Sequence, residues 1–444
     1  MSDALAAEPA RVRSRTFAAL EIPDYRRFYI GQGISLIGTW LQSAAVSWIV
    51  FDMTHSARML GIVDAASVMP GLLVGLFAGV LADRVVPRTM VLLMQVAQML
   101  LAFLLAFLVG TGVVQIWQLA LILALTRISV TFEMPSRQVF LYDLVGRSTL
   151  MNAIALNSGL FNASRILGPA LAGLCLARFG RTSCFIANGA SYLAAIAALL
   201  AIRPVPRPHR SESGGIAEIL AGFSYLRRDH RVRTLFLLMT VFGFIGMGYA
   251  ALVPAYARLV VRTGAMGYSL LLASSGVGAT TGALIVASLG GLRRKEALVL
   301  GGMALFAVAL AAAGYLPPAV SRAWSHRAGL FVATGCLFGV GFGAITFYSA
   351  TQTLIQTTAP DHLRGRIMGI WMIVYSGSVP PGSLWAGELA ARHGVPLVME
   401  ISAAICLLVA AGMLVSGALI DRGHAHELHR PAVSPEAAAK TASH

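Results

Sequence analysis

Four ionisable side chains stand inside apolar stretches of this sequence: Asp64, Arg127, Glu133 and Arg165. A charge at membrane depth costs several kcal/mol unless it faces protein or water, so each implies a proton, a polar ligand or a paired neighbour. Asp64 shares a helical face with Gly71, Gly75 and Gly79, because steps of seven, eleven and fifteen residues return to within about 60° of it. Such a seam of small residues is where another helix packs closely. Asp64 is therefore expected to face protein, either as a titrating group or as a carboxylate held by a neighbour near a membrane surface. Arg127 lies about 18 Å along a helix starting at Gln115. Glu133 and Arg137 are four apart, a spacing that permits an ion pair on one helix face, with Pro135 between them able to break the helix. Asp64, Arg127 and Glu133 form the candidate proton-coupling set, and the alternative for Glu133 is a structural pair with Arg137. Arg165 shares a face with Ser158 and Ala172, next to Gly168-Pro169. Two cations at similar depth, Arg127 and Arg165, either favour an anionic ligand or are neutralised by carbonyls and a carboxylate.

The elements that must carry these residues follow from composition. With 57% hydrophobic and 12% charged residues over 444 positions, the chain has too little charge to cover a water-facing surface. Windows of about 20 apolar residues fall near 28–52, 59–82, 89–110, 115–135, 152–177, 182–202, 234–257, 267–289, 297–316, 328–350, 366–391 and 396–420, which predicts an all-α membrane protein with twelve transmembrane helices. A net charge of +15 raises nucleic acid as a partner. Placing the N-terminus inside resolves it: twenty-four Lys and Arg fall on the inner face, eight on the outer, and Arg127 and Arg165 lie within the membrane. That bias orients the chain with both termini cytoplasmic, and no nucleic-acid partner is implied. Cys175, Cys184, Cys336 and Cys406 all fall in spans and read as small apolar residues, with no metal-ligand spacing. No cofactor or metal is called for, and residues 1–27 read as a cytoplasmic tail without a signal peptide.

The chain repeats itself. Asp24-Tyr25-Arg26 answers to Asp229-His230-Arg231, Pro87-Arg88 to Arg293-Arg294, and GPALAGLCLARFG at 168–180 to GSLWAGELAARHG at 382–394. Two six-helix pseudo-repeats are expected, 28–202 and 234–420, joined by a cytoplasmic linker at 203–233 that carries an amphipathic helix, with a disordered tail at 421–444. The added length of the second copy is placed in a loop, PPAVSRAWSHR at 317–327.

The charged hinge GVLADRVVPR at 79–88 lies between two apolar runs and resembles the loop between the second and third spans of the major facilitator superfamily. The array Ala155, Ser164, Gly168, Pro169, Ala172 and Gly173 resembles the fifth-span motif of that superfamily's antiporters, with Ala or Ser at three glycine places. Arg165, Gly168, Pro169 and Gly173 are carried from it as the motif of this chain. The runs FEMPSRQ at 132–138, DLVGRSTLMNAIALNS at 143–158 and RILGPALAG at 165–173 resemble the group containing the enterobactin exporter and the macrolide efflux proteins. The resemblance implies the major facilitator fold, a secondary active transporter, and export of an amphipathic small molecule in exchange for protons. It also implies that Gly79, Asp83, Arg84 and Arg88 brace the inner face closed. The central site would be lined by the first, fourth, seventh and tenth spans, giving Gln42, Trp48, Arg127, Tyr249, Tyr256 and Tyr348 as substrate-cavity candidates.

The partners expected are a small-molecule substrate, protons and membrane lipid, for a monomer in a bacterial inner membrane. Proton-coupled uptake of a metabolite is the alternative within transport. A membrane enzyme would show a clustered metal or nucleophile constellation at one face; the ten His are scattered, and GVGFG at 339–343 has no strand before it. Glu388, near the outer end of the eleventh span, reads as a proton site or an interfacial group.

Overall fold

The computed structural model describes residues 17–82, 85–203, 229–289, 295–360 and 363–416, with the backbone alone for 76–82. After a 3-10 turn at Ala18–Glu21 come α1 (Pro23–Thr54), α2 (Ala57–Ala82), α3 (Pro87–Gly110), α4 (Ile116–Arg178), α5 (Arg181–Ala201), α6 (His230–Val260), α7 (Ala265–Ser288), α8 (Lys295–Ala323), α9 (His326–Thr358), α10 (Arg364–His393) and α11 (Val395–Ser416). No strand occurs among the described residues. Helices are what lipid permits, since every backbone donor and acceptor must be satisfied within its own segment.

At 63 residues, α4 would reach about 95 Å if straight, some three times the hydrocarbon core. It turns at Gly146, whose φ of 67° and ψ of 176° are open only to a residue without a side chain. Its limbs, 116–145 and 147–178, bring the described residues to twelve long helical segments. Ten elements carry apolar stretches long enough to cross a membrane, with α4 counted once. The 30 residues of α10 have the length to cross but are not among those ten.

The helices outrun their apolar windows. α1 begins at Pro23, where proline costs no hydrogen bond. Asp229 and Ser325 cap α6 and α9 by accepting from Val232 N at 3.0 Å and Ala328 N at 3.1 Å. Two expectations are corrected. The stretch expected as a loop at 317–327 continues as helix through Pro317 and Pro318 to Ala323, so only Trp324 and Ser325 are left to turn the chain. Pro135 does not end α4, which runs on past it. A proline forfeits one backbone bond, and a transmembrane helix tolerates it when packed neighbours hold the path.

α1 packs on α4 and α5, α2 on α4, and α3 on α4 and α5. Separately, α8 packs on α9 and α11, α7 on α9, and α10 on α6 and α11. The two groups meet where α2 lies against α10 and the second limb of α4 against α7. The expected linker helix falls mostly on 204–228, outside the described residues, as do the tails at 1–16 and 417–444 and the pair Arg293-Arg294.

Candidate transport site

A cavity of about 390 Å³ opens among α1, α2, α3 and the first limb of α4, reaching Phe161 on the second limb, Tyr192 on α5 and Ala251 on α6. Its walls carry four ionisable groups, Asp64, Arg127, Glu133 and Arg137, and a set of neutral hydrogen-bonding groups that includes Gln42, Gln95, Gln98 and Thr39. An apolar flank is formed by Leu36, Met134, Trp40 and Phe161, the last two meeting edge to face at 5.6 Å. Apolar walls with a few convergent polar groups are the form of a small-molecule site.

The two carboxylates are built differently. Glu133 is buried and fully engaged: Gln95 Nε2 donates to one oxygen at 2.9 Å, Gln98 Nε2 to the other at 2.7 Å, and Arg137 stands 3.6 Å away. Ser35 Oγ donates to Gln95 Oε1 at 3.3 Å, and the Tyr192 hydroxyl donates to Gln98 Oε1 at 3.2 Å. Each oxygen of Glu133 thus meets a donor, which ties α3 and α4 together. Of the two, Glu133 behaves as the structural pair. Sequence reading missed Gln95 and Gln98, although two glutamines three apart in an apolar span are themselves a signal.

Asp64 does two things at once. It lines the cavity, with Arg127 within electrostatic reach, and it accepts a hydrogen bond from Ser383 Oγ of α10 at 2.6 Å. The bond joins the two helical groups. Beside it, Gly61 faces the backbone oxygen of Ser383 so closely that no β-carbon fits, and a β-carbon on Gly387 would stand 3.0 Å from the Ala57 oxygen. One turn further out, Arg58 pairs with Glu388 at 2.6 Å, and Glu388 also pairs with Arg392 at 2.7 Å. Glu388 therefore belongs to a cluster bridging α2 and α10 at the protein's edge. The glycine seam on α2 does face protein, but the partner of Gly71 and Gly75 is Thr131 of α4 in the same group. The face of Gly79 lies outside the described side chains.

Other joins between the groups gather at the same end. Gly173 faces Ser269 of α7, Trp48 stacks on Tyr268 at 5.3 Å, Arg258 sits 5.7 Å over the Trp48 ring, and the Tyr268 hydroxyl donates to Ala44 O at 3.2 Å. Among the described residues, these joins close the Arg58 end.

Of the expected cavity residues, Gln42 and Arg127 line this cavity. Gln42 Oε1 accepts from Asn188 Nδ2 at 2.8 Å. Trp48 belongs to the closed end. Tyr256 is fully buried and donates to Ala313 O at 2.7 Å, which spends its hydroxyl on α8 and corrects its placement as a lining residue. Tyr249 is buried against Phe306 at 6.0 Å, and Tyr348 packs on Tyr375 at 5.1 Å; both belong to the second group. α6 winds unevenly there, with π turns at Phe242–Gly246 and Tyr256–Val260, an irregularity that concentrates at functional sites. Arg165 is not among the residues lining that cavity, as Arg127 is; it lies within electrostatic reach of Tyr249 and Tyr375. Gly168 faces Trp40 and the α1 backbone, whereas Gly173 faces Ser269 and the Arg165 backbone oxygen faces Gly276 of α7, so both of these motif positions serve the join between groups. Pro169 is buried within the helix. Asp83 and Arg84 lie outside the described residues. Arg88 donates to Leu199 O at 3.0 and 2.8 Å, capping the end of α5.

Among solved structures, the chain is similar to the nucleoside transporter NupG (TM-score 0.70, 12% identity, 88% of this chain and 99% of that one). It is also similar to a bacterial homologue of the human lysosomal transporter Spinster in an inward-facing conformation (TM-score 0.69, 13% identity, 89% and 98%). In sequence it is 26% identical to the multidrug efflux pump Tap of Mycolicibacterium fortuitum over 64% of this chain and 68% of that protein. It is 22% identical to macrolide efflux protein A of Streptococcus pyogenes over 87% and 94%, and 25% identical to the enterobactin exporter EntS of Escherichia coli over 63% and 64%. Residues 14–438 match the transmembrane secretion effector family. The all-helical, two-group architecture and this match agree: the chain belongs to the transmembrane secretion effectors of the major facilitator superfamily and is a membrane transporter.

Proposed function

We propose that this protein exports an amphipathic small molecule across a bacterial cytoplasmic membrane by alternating access, in exchange for protons, with Asp64 as the titrating group. One observation carries the reading: the Asp64 carboxylate belongs both to the cavity wall and, through Ser383, to the contact between the halves. A change of charge at that atom acts on both, which is what coupling requires. In this reading both termini are inside and the closed Arg58 end faces outside, the arrangement in which an exporter loads from the cytoplasm. The excess of Lys and Arg on that side supports the orientation. The opposite lock is assigned to the loop of Gly79, Asp83, Arg84 and Arg88. Tap, macrolide efflux protein A and EntS are named for efflux or export of drugs, a macrolide and a siderophore, which supports an amphipathic cargo. A chain working as a monomer suffices for this cycle.

Everted vesicles containing the full chain, with erythromycin or ethidium supplied outside as probes, test the reading. Uptake into the vesicles driven by an interior-acid gradient, abolished by a protonophore and by Asp64→Asn, is expected. Gradient-independent movement with Asp64→Asn at the wild-type rate removes the proton role.

A further inference from the structure

The charges of the interior do not balance. Glu133 is answered by Arg137 and two amides, and Asp64 by Ser383 and Arg127. Arg165 is left over. It forms no ion pair among the described residues, and its Nε and one terminal nitrogen are buried without a hydrogen-bond partner. A guanidinium at this depth is costly unless something accepts from it. Its neighbours across the join are phenols, Tyr249 on α6 and Tyr375 on α10, and Tyr375 continues into an aromatic run, 5.1 Å to Tyr348 and then 5.8 Å to Trp371. Arg165 also stands one helical turn from Phe161 in the cavity wall.

We propose that Arg165 is the docking point for an oxyanion of the transported molecule, a carboxylate or sulfonate on an aromatic amphiphile. The guanidinium fork matches such a group in two parallel bonds, and the part-exposed rings of Tyr375 and Tyr348, with Phe161 one turn away in the cavity wall, suit an aromatic body. Lipid headgroups are not the source. Arg165 lies about 20 Å along its helix from Arg178 and about 27 Å from residue 147, beyond the reach of phosphates at either surface. The assignment rests on the export reading for the claim that the anion is cargo; the binding site itself does not depend on it.

The test uses the purified full chain in nanodiscs of neutral lipid with two probes of one shape, 2-naphthoate and 2-naphthamide, followed by calorimetry and by quenching of tryptophan fluorescence. The wild type is expected to bind the anion about tenfold or more tightly than the amide. Arg165→Ala should remove that preference by weakening naphthoate binding far more than naphthamide binding, and Arg165→Lys should restore part of it. Equal affinity of the wild type for both probes, or equal loss of both in Arg165→Ala with Arg165→Lys behaving as wild type, overturns the proposal. If Arg165→Ala fails to fold, the wild-type preference and the Arg165→Lys affinities decide. Export of naphthamide but not naphthoate by vesicles would overturn the claim that the anion is cargo and leave transport standing. Anion-selective binding without movement of either probe would leave the binding site standing and overturn the export reading.

Discussion

Ser383→Ala removes one donor from the join between the halves, and its effect can be worked from the structure. Ser383 is 1% exposed and its hydroxyl reaches the Asp64 carboxylate at 2.6 Å. A hydrogen bond to a charged group contributes about 1.5–3 kcal/mol. The state in which α2 and α10 part at this end does not contain the bond, so the closed state alone loses it. Its population relative to the opposite state should fall by about 10- to 150-fold at RT of about 0.59 kcal/mol. Spin labels at Val113 and Trp324, both exposed on loops at the Arg58 end in opposite halves, read the change as a longer distance in pulsed dipolar spectroscopy, with the four native cysteines replaced. Ser383→Thr keeps the hydroxyl and should stay near wild type. A Ser383→Ala distance distribution indistinguishable from wild type would refute the reasoning, because it would mean that the bond is remade in both states or contributes nothing.

Other outcomes follow from the same geometry. Gly61→Ala sets a β-carbon against the Ser383 backbone oxygen and should wedge α2 from α10, lengthening the same label distance while Gly71→Ala, which faces Thr131 within one half, should not. Glu133→Leu strands two amides and Arg137 in the interior and should cost about 2–4 kcal/mol, seen as earlier thermal unfolding in detergent; Glu133→Gln should cost less and keep the pH dependence of transport. Asp64→Asn should flatten that pH dependence and loosen the closed end, since a neutral amide oxygen accepts from Ser383 less strongly than a carboxylate; retained pH dependence would point to another carboxylate. Exchanging Arg58 and Glu388 in the double variant should recover closure lost in either single charge reversal, as cross-linking between α2 and α10 would report.

Much of the fold is written along the chain. Lipid demands that each crossing satisfy its own backbone bonds and be apolar for about 20 residues, so local composition alone marks the helices. The duplication and the asymmetry of Lys and Arg are likewise read in one dimension. Asp64, Arg127, Glu133 and Arg165 announce themselves because a charge in an apolar run is expensive wherever it points. Where each of them points is not local information. Glu133 became a structural anchor because α3 delivers Gln95 and Gln98 to its two oxygens. Asp64 became a link between halves because α10, some 320 residues further along, brings Ser383 to it. Tyr256 turned away from the cavity because α8 offers Ala313 O. Pro135, Pro317 and Pro318 remained in helices because neighbours held a path that their own missing N–H groups would have let go. Residue type set the cost of each buried group, and only the packing of distant helices decided which partner met that cost and which guanidinium was left without one.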